Sequence, residues 1–172
     1  MVAESFAHSL AAVLKEEGGN DDDPQDHGGR TSRGITQREY DAWRSAHGQG
    51  PIDVWTAPQE DIVAIYHEEY WQPWCDSLPS GIDYLYFDFS VNAGPVRAAI
   101  VLQRALGLPA DGRIGPVTRA AIKSADPKKL LFDFSDQKAA FYRSLHQPHF
   151  IKGWLNRVAF SQDIAASMMT TA

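Results

Sequence analysis

The segment that most constrains this chain is Ile82-Asp83-Tyr84-Leu85-Tyr86-Phe87-Asp88-Phe89-Ser90-Val91-Asn92-Ala93-Gly94. Apolar side chains fall on every side of it, so it has no wet face. Such a run predicts a central helix that the rest of the chain must wrap. Its aromatic content leaves a buried strand as the competing reading. Asp88, inside the run, must find hydrogen bonds if it is buried, and we expect it to brace the Gly-rich loop considered below.

The flanking pattern is helical. Phe6, Leu10, Val13 and Leu14 share one face of a helix over 3–16 that Gly18-Gly19 ends. Thr36 with Glu39 forms a capping box for a helix at about 37–46. Thr56 and Pro58 open another helix, with Ile62, Val63, Ile65 and Tyr66 on its buried side, which runs to about Trp71-Gln72-Pro73-Trp74. Pro95 opens a helix closed by Gly107, and Gly115-Pro116 starts a short one at 116–123. Asp126-Pro127 opens a long helix to about 146. A last helix covers about 150–166, with a frayed tail from Met168. The expected fold class is mainly α with little sheet, at most a short hairpin near residues 18–34.

Length and composition narrow the class. The chain has 172 residues, 44% hydrophobic and 22% charged, enough for one domain or two small ones sharing a core. The single cysteine, Cys75, cannot form an internal disulfide. No apolar run is long enough to span a membrane, and Met1 to Ser5 do not read as a secretory leader. Residues 1–95 carry 5 Lys/Arg against 17 Asp/Glu, and residues 96–172 carry 11 against 5. The acidic first half argues against a nucleic-acid partner, while the basic second half suits an anionic polymer.

The chemistry concentrates in Glu17-Gly18-Gly19 and the loop that follows, with Pro24-Gln25-Asp26-His27-Gly28-Gly29-Arg30-Thr31-Ser32-Arg33-Gly34-Ile35-Thr36. Glu17 ends an apolar helix at the mouth of a Gly-rich loop, where apolar neighbours raise a carboxyl pKa and keep its proton available. Asp26 sits in a polar loop and should stay ionised. Two carboxyls whose surroundings push their pKa values apart suit an acid paired with a base or a charge stabiliser. In glycoside hydrolysis one protonates the leaving oxygen, and the other serves water or the oxocarbenium-like centre. Asp26 could equally brace the loop through backbone hydrogen bonds.

The pattern Glu-Gly-Gly followed by Pro-x-Asp-x-Gly-Gly-x-Thr-x-x-Gly-Ile-Thr resembles glycoside hydrolase family 108, the N-acetylmuramidases of phages and of some bacterial secretion clusters. Tyr70-Trp71 and the Asp88 to Pro95 element fit the same family, whereas Asn20 stands where an aromatic is usual. The resemblance implies a lysozyme-like helical domain with Glu17 as catalytic acid. It also resembles phage-type lysozymes in placing Asp26 nine residues and Gly34-Ile35 seventeen residues after the acid. Ser32 is in their hydroxyl register, but the family motif keeps Thr31, which we take as the residue that helps hold the attacking water. Tyr40, Asn92 and Trp71 are candidate substrate-binding residues by motif position, and Tyr40 and Asn92 could equally be structural. Of Trp43, Trp55, Trp71, Trp74 and Trp154, most should be core and one or two should face sugar.

Leu102 to Gly107 and Asp111-Gly112-Arg113-Ile114-Gly115-Pro116-Val117-Thr118 resemble a peptidoglycan-binding three-helix module. The expected organisation is therefore a muramidase domain over 1–95 and a helical module over 96–172 packed on it. That module would bind wall or buttress the catalytic half. The resemblance implies an endolysin that cleaves the β-1,4 bond between N-acetylmuramic acid and N-acetylglucosamine in glycan strands. It would act as a monomer, be made in the host cytoplasm, and reach the wall through a membrane hole or a secretion aid. A lytic transglycosylase and a non-catalytic wall-binding protein are the alternatives. No cofactor is implied. Asp21-Asp22-Asp23 does not open a calcium loop, because the sixth and twelfth places hold Asp26 and Ser32. His146 and His149, split by Pro148, make a poor zinc pair, so no metal is expected.

Overall fold

The computed structural model describes residues 2–17, 19–21 and 30–171, with only the backbone given for Val2, Ala3, Glu17, Asp21, Pro73 and Thr171. It is mainly α. Among the described residues, eight α-helices are joined by a very small three-stranded antiparallel sheet and short 3₁₀ and π turns. The chain divides into two compact units, residues 6–69 and residues 1–5 with 70–172. Among the described residues no helix is long and apolar enough to cross a membrane.

The first unit begins in α1 (Val2–Glu17), which buries Phe6, Leu10 and Val13, the face its spacing predicts. Three two-residue strands follow: β1 (Asn20–Asp21), β2 (Thr31–Ser32) and β3 (Ile35–Thr36). The β2–β3 hairpin turns on Arg33-Gly34, with φ of 50° and 80°. Two successive positive φ values are the type I′ geometry, whose twist suits a two-residue hairpin, and glycine supplies the second without strain. Helix α2 (Gln37–Ala46) starts at the expected box: Thr36 accepts from the Glu39 N–H, and the Glu39 carboxylate accepts from the Thr36 N–H. A 3₁₀ turn at Val54–Thr56 and α3 (Gln59–Ile65) complete the frame. The helix expected to reach the Trp71 region does so by widening into π turns over Tyr66–Trp71.

The second unit is built around α4 (Ile82–Ala93), buried continuously from Ile82 to Ser90. The helical reading of this run holds and the strand reading falls. Helices α5 (Pro95–Ala105), α7 (Pro127–Ser144) and α8 (Ile151–Thr171) wrap α4, with α6 (Pro116–Ser124) between α5 and α7 in sequence. Because α4 needs cover on every side, it clusters with these later helices, and the compact division falls near residue 70. The motif boundary drawn at residue 95 lies inside this unit.

Two points differ from expectation. Helix α8 runs to Thr171, where the sequence suggests fraying from Met168. The Ser80 hydroxyl donates to the Met168 carbonyl at 3.2 Å. Gly81, at φ 87°, lies so close that an added Cβ would come within 2.4 Å of the Ala165 carbonyl oxygen. The 80–81 turn thus holds the last turns of α8. Asp88 also braces a different partner set. Its Oδ2 accepts from Lys138 Nζ and its Oδ1 from Arg157 Nη2, each at 3.1 Å. Lys138 donates again to Ser161 at 2.9 Å. The brace ties α4 to α7 and α8, because those helices supply the cations that offset a buried carboxylate; residues 22–29 of the Gly-rich loop, which Asp88 was expected to brace, lie outside the described residues.

Candidate active site

The site builds outward from the end of α1. Glu17 is its last residue, and β1 begins three residues later. Strand β2 is fixed on β1 in the register Asn20 to Ser32 and Asp21 to Thr31, and the Arg33 N–H donates to the Gly19 carbonyl at 3.1 Å. The chain leaving Glu17 is therefore hydrogen-bonded to the strand that carries Thr31. Asp26 and the Glu17 side chain lie outside the described residues.

The two hydroxyls of β2 part company, as alternate strand residues must. Ser32 is only 1% exposed, and its hydroxyl accepts from Arg33 Nε at 3.3 Å. Thr31 is half-exposed.

A clasp from the 53–66 segment holds this hairpin. Trp55 Nε1 donates to the Thr31 carbonyl at 3.2 Å. The Arg30 guanidinium lies over the Trp55 ring, 3.8 Å from its centroid, and pairs with Asp53 at 2.6 Å. Asp53 in turn caps the 3₁₀ turn by accepting from the Trp55 N–H at 3.0 Å. At the turn, Arg33 donates to the Ala57 carbonyl at 2.8 Å and to Gln59 Oε1 at 2.6 Å, and Tyr66 donates its hydroxyl to the Arg33 carbonyl at 2.7 Å. Sequence alone gives no reason to join Arg30, Asp53 and Trp55. Arg30 is more than twenty residues from the other two, and only the Asp53 capping position is a local signal.

The chain as a whole is similar to known proteins. The glycosyl hydrolase 108 model matches residues 10–94, and a model described as Predicted Peptidoglycan domain matches residues 97–159. The solved structure of Brucella abortus SagA aligns with a TM-score of 0.83 and 31% sequence identity, over 97% of this chain and 97% of that one. This chain belongs to the glycosyl hydrolase 108 family. The comparison with curated proteins gave no match. Family 108 membership makes this lysozyme-like, mainly α chain a glycoside hydrolase, and the second matched domain makes peptidoglycan its ligand.

Within this family 108 chain the expected substrate-binding residues separate. Tyr40 is fully buried. Its hydroxyl donates to Asp61 at 2.6 Å, and burial, then Asp61, pushes its pKa up. It supports α2 from the core and does not offer a surface to sugar, which corrects the expectation drawn from its motif position. Trp71 is corrected for the same reason. It is fully buried, donates Nε1 to Asp76 at 2.6 Å, and meets Phe87 edge-on. Trp71 and Asn92 belong to the 70–172 unit. Asn92 is half-exposed on the last turn of α4, with Nδ2 donating to the Asp88 carbonyl at 2.6 Å. Among the five tryptophans, Trp43, Trp71 and Trp74 are core, while Trp55 and Trp154 are half-exposed.

Proposed function

We propose that this chain hydrolyses the β-1,4 bond between N-acetylmuramic acid and N-acetylglucosamine. Glu17 hands its proton to the bridging oxygen as that bond breaks. Asp26, ionised, steadies the positive charge that develops on the sugar or takes a proton from water, and Thr31 orients that water. The reading is carried by one observation. Glu17 ends α1 immediately before a strand whose partner, β2, is registered to present Thr31 on its half-exposed side. The clasp around Trp55 supports it, since a water-holding hydroxyl must be fixed to be useful.

In the same reading the enzyme is a phage- or secretion-type endolysin with antibacterial activity. It is made in the bacterial cytoplasm and lyses the wall after release. The test is Glu17→Gln. Lysis of purified walls should fall by several orders of magnitude with an unchanged melting temperature. Lysis at the parent rate would remove Glu17 from the mechanism. Mass analysis of the released muropeptides should show one water added per cleavage, and 1,6-anhydro ends would instead assign a lytic transglycosylase.

A further inference from the structure

The corner between α7 and α8 carries an aromatic stack that the catalytic reading does not use. Trp154 lies between two rings at small angles: Tyr142 at 5.2 Å and 23°, and Phe150 at 5.6 Å and 26°. Tyr142 is buried and anchored edge-on against Phe89 of α4. The stack thus runs from the core to the surface and ends in Phe150, which is 59% exposed. Leu145 beside the turn is 40% exposed. The turn itself is set by His146 at φ 51° and by Phe150 and Ile151 donating their N–H groups to the Gln147 carbonyl.

The charge around this ring is one-sided. The chain has no Asp or Glu between Asp136 and Asp163. Arg143, His146, His149 and Lys152 are all exposed on the turn and its flanking helix ends. A flat aromatic face fits the C–H face of a pyranose ring, and a cationic rim fits carboxylates. Peptidoglycan offers both, sugar rings along the strand and carboxylates on its stem peptides. A membrane surface fits less well. A helix lying in a lipid interface needs a continuous apolar stripe, whereas α8 buries Val158 and Ala165 and exposes Phe160, at 48%, as an isolated large apolar residue ten positions after Phe150.

We propose that the Phe150 ring, rimmed by Arg143 and Lys152, is a wall-binding subsite for peptidoglycan strands, separate from the Glu17 site. The proposal rests on peptidoglycan being the substrate, but its readout is binding, not turnover. The experiment uses full-length Glu17→Gln protein and purified, insoluble sacculi. Adding Phe150→Ala should weaken sedimentation with sacculi by roughly tenfold, and so should the double charge reversal Arg143→Glu/Lys152→Glu. Melting temperatures should be unchanged. The charge-reversed protein should also lose most of the salt dependence of binding. With Glu17 intact, Phe150→Ala should slow lysis of sacculi yet cleave a short soluble glycan at the parent rate. Parent-level binding by both variants overturns the proposal. So does Phe150-dependent binding to phosphatidylglycerol vesicles without Phe150-dependent binding to sacculi. If Glu17→Gln remained lytic, the catalytic reading would fail while the sedimentation comparison still decided this one.

Discussion

Trp55 donates its indole N–H to the carbonyl oxygen of Thr31 at 3.2 Å, and that bond reaches across 24 residues to fix the strand that pairs with the chain just after Glu17. The ring face is occupied by Arg30, so ring and N–H act on β2 from two directions. Trp55→Phe keeps a ring under Arg30 and deletes only the N–H. It should cost about 1 kcal/mol of stability, the usual net worth of one hydrogen bond. Wall turnover should fall several-fold through kcat, with KM little changed, because the lost contact positions Thr31 and does not touch sugar. A KM effect alone would instead make Trp55 a sugar-binding residue.

Thr31 and Ser32 are neighbours with opposite expectations. Thr31→Val removes the half-exposed hydroxyl while keeping a β-branched residue in the strand. Turnover should drop by about a hundredfold, in the range for losing a group that manages a proton or water. Ser32→Ala removes a buried hydroxyl that meets Arg33. It should cost about 1 kcal/mol of stability and leave turnover near the parent rate. Parallel measurements of lysis rate and melting temperature check both. The reverse pattern would move the water-holding role to Ser32.

Much of this was legible because it is local. The Thr36–Glu39 box, the glycine at the hairpin and the all-round apolar character of residues 82–94 each name their own structure within a few residues. What escaped is long-range. Nothing near Asp88 announces that Lys138, 50 residues on, and Arg157, 69 residues on, will meet it. Tyr40 sits in a motif but is spent on Asp61, and a phenol buried with a partner looks, in sequence, like one facing sugar. The end of α8 follows from its contact with Ser80 and Gly81, so the polar tail alone suggested fraying. For the site, sequence brought out Glu17, Asp26 and Thr31, while the Arg30–Asp53–Trp55 clasp needed coordinates.

The Asp88 network makes a sharp stability prediction. Lys138 is fully buried, and burial lowers its pKa against the opposing pull of Asp88. Asp88→Asn would leave that ammonium without its carboxylate, and should destabilise the fold by about 3–5 kcal/mol. Lys138→Met should cost less, because Arg157 still pairs with Asp88. The double variant Asp88→Asn/Lys138→Met should recover part of the single loss, since no uncompensated ammonium remains. Denaturant titrations of the three variants test this. A double variant no better than Asp88→Asn would show that the carboxylate serves packing and not charge.

Asp83 titrates in the opposite sense from a surface carboxylate. Burial raises its pKa, offset in part by hydrogen bonds from the Ser5 hydroxyl and from the N–H groups of Tyr84 and Gly81. Between its unfolded and folded pKa values the folded state holds the extra proton, so its contribution to stability declines as pH rises through that window. Asp83→Asn cannot titrate. Its amide oxygen can still accept from Gly81 and Tyr84, and its NH₂ can donate to Ser5. As pH rises above the ordinary aspartate pKa of about 4, the melting temperature of Asp83→Asn should therefore rise relative to the parent, with the gap closing again on acidification. A gap that stayed constant, or moved in the parent's favour as pH rose, would mean that the hydrogen bonds from Ser5, Gly81 and Tyr84 outweigh burial at this carboxylate.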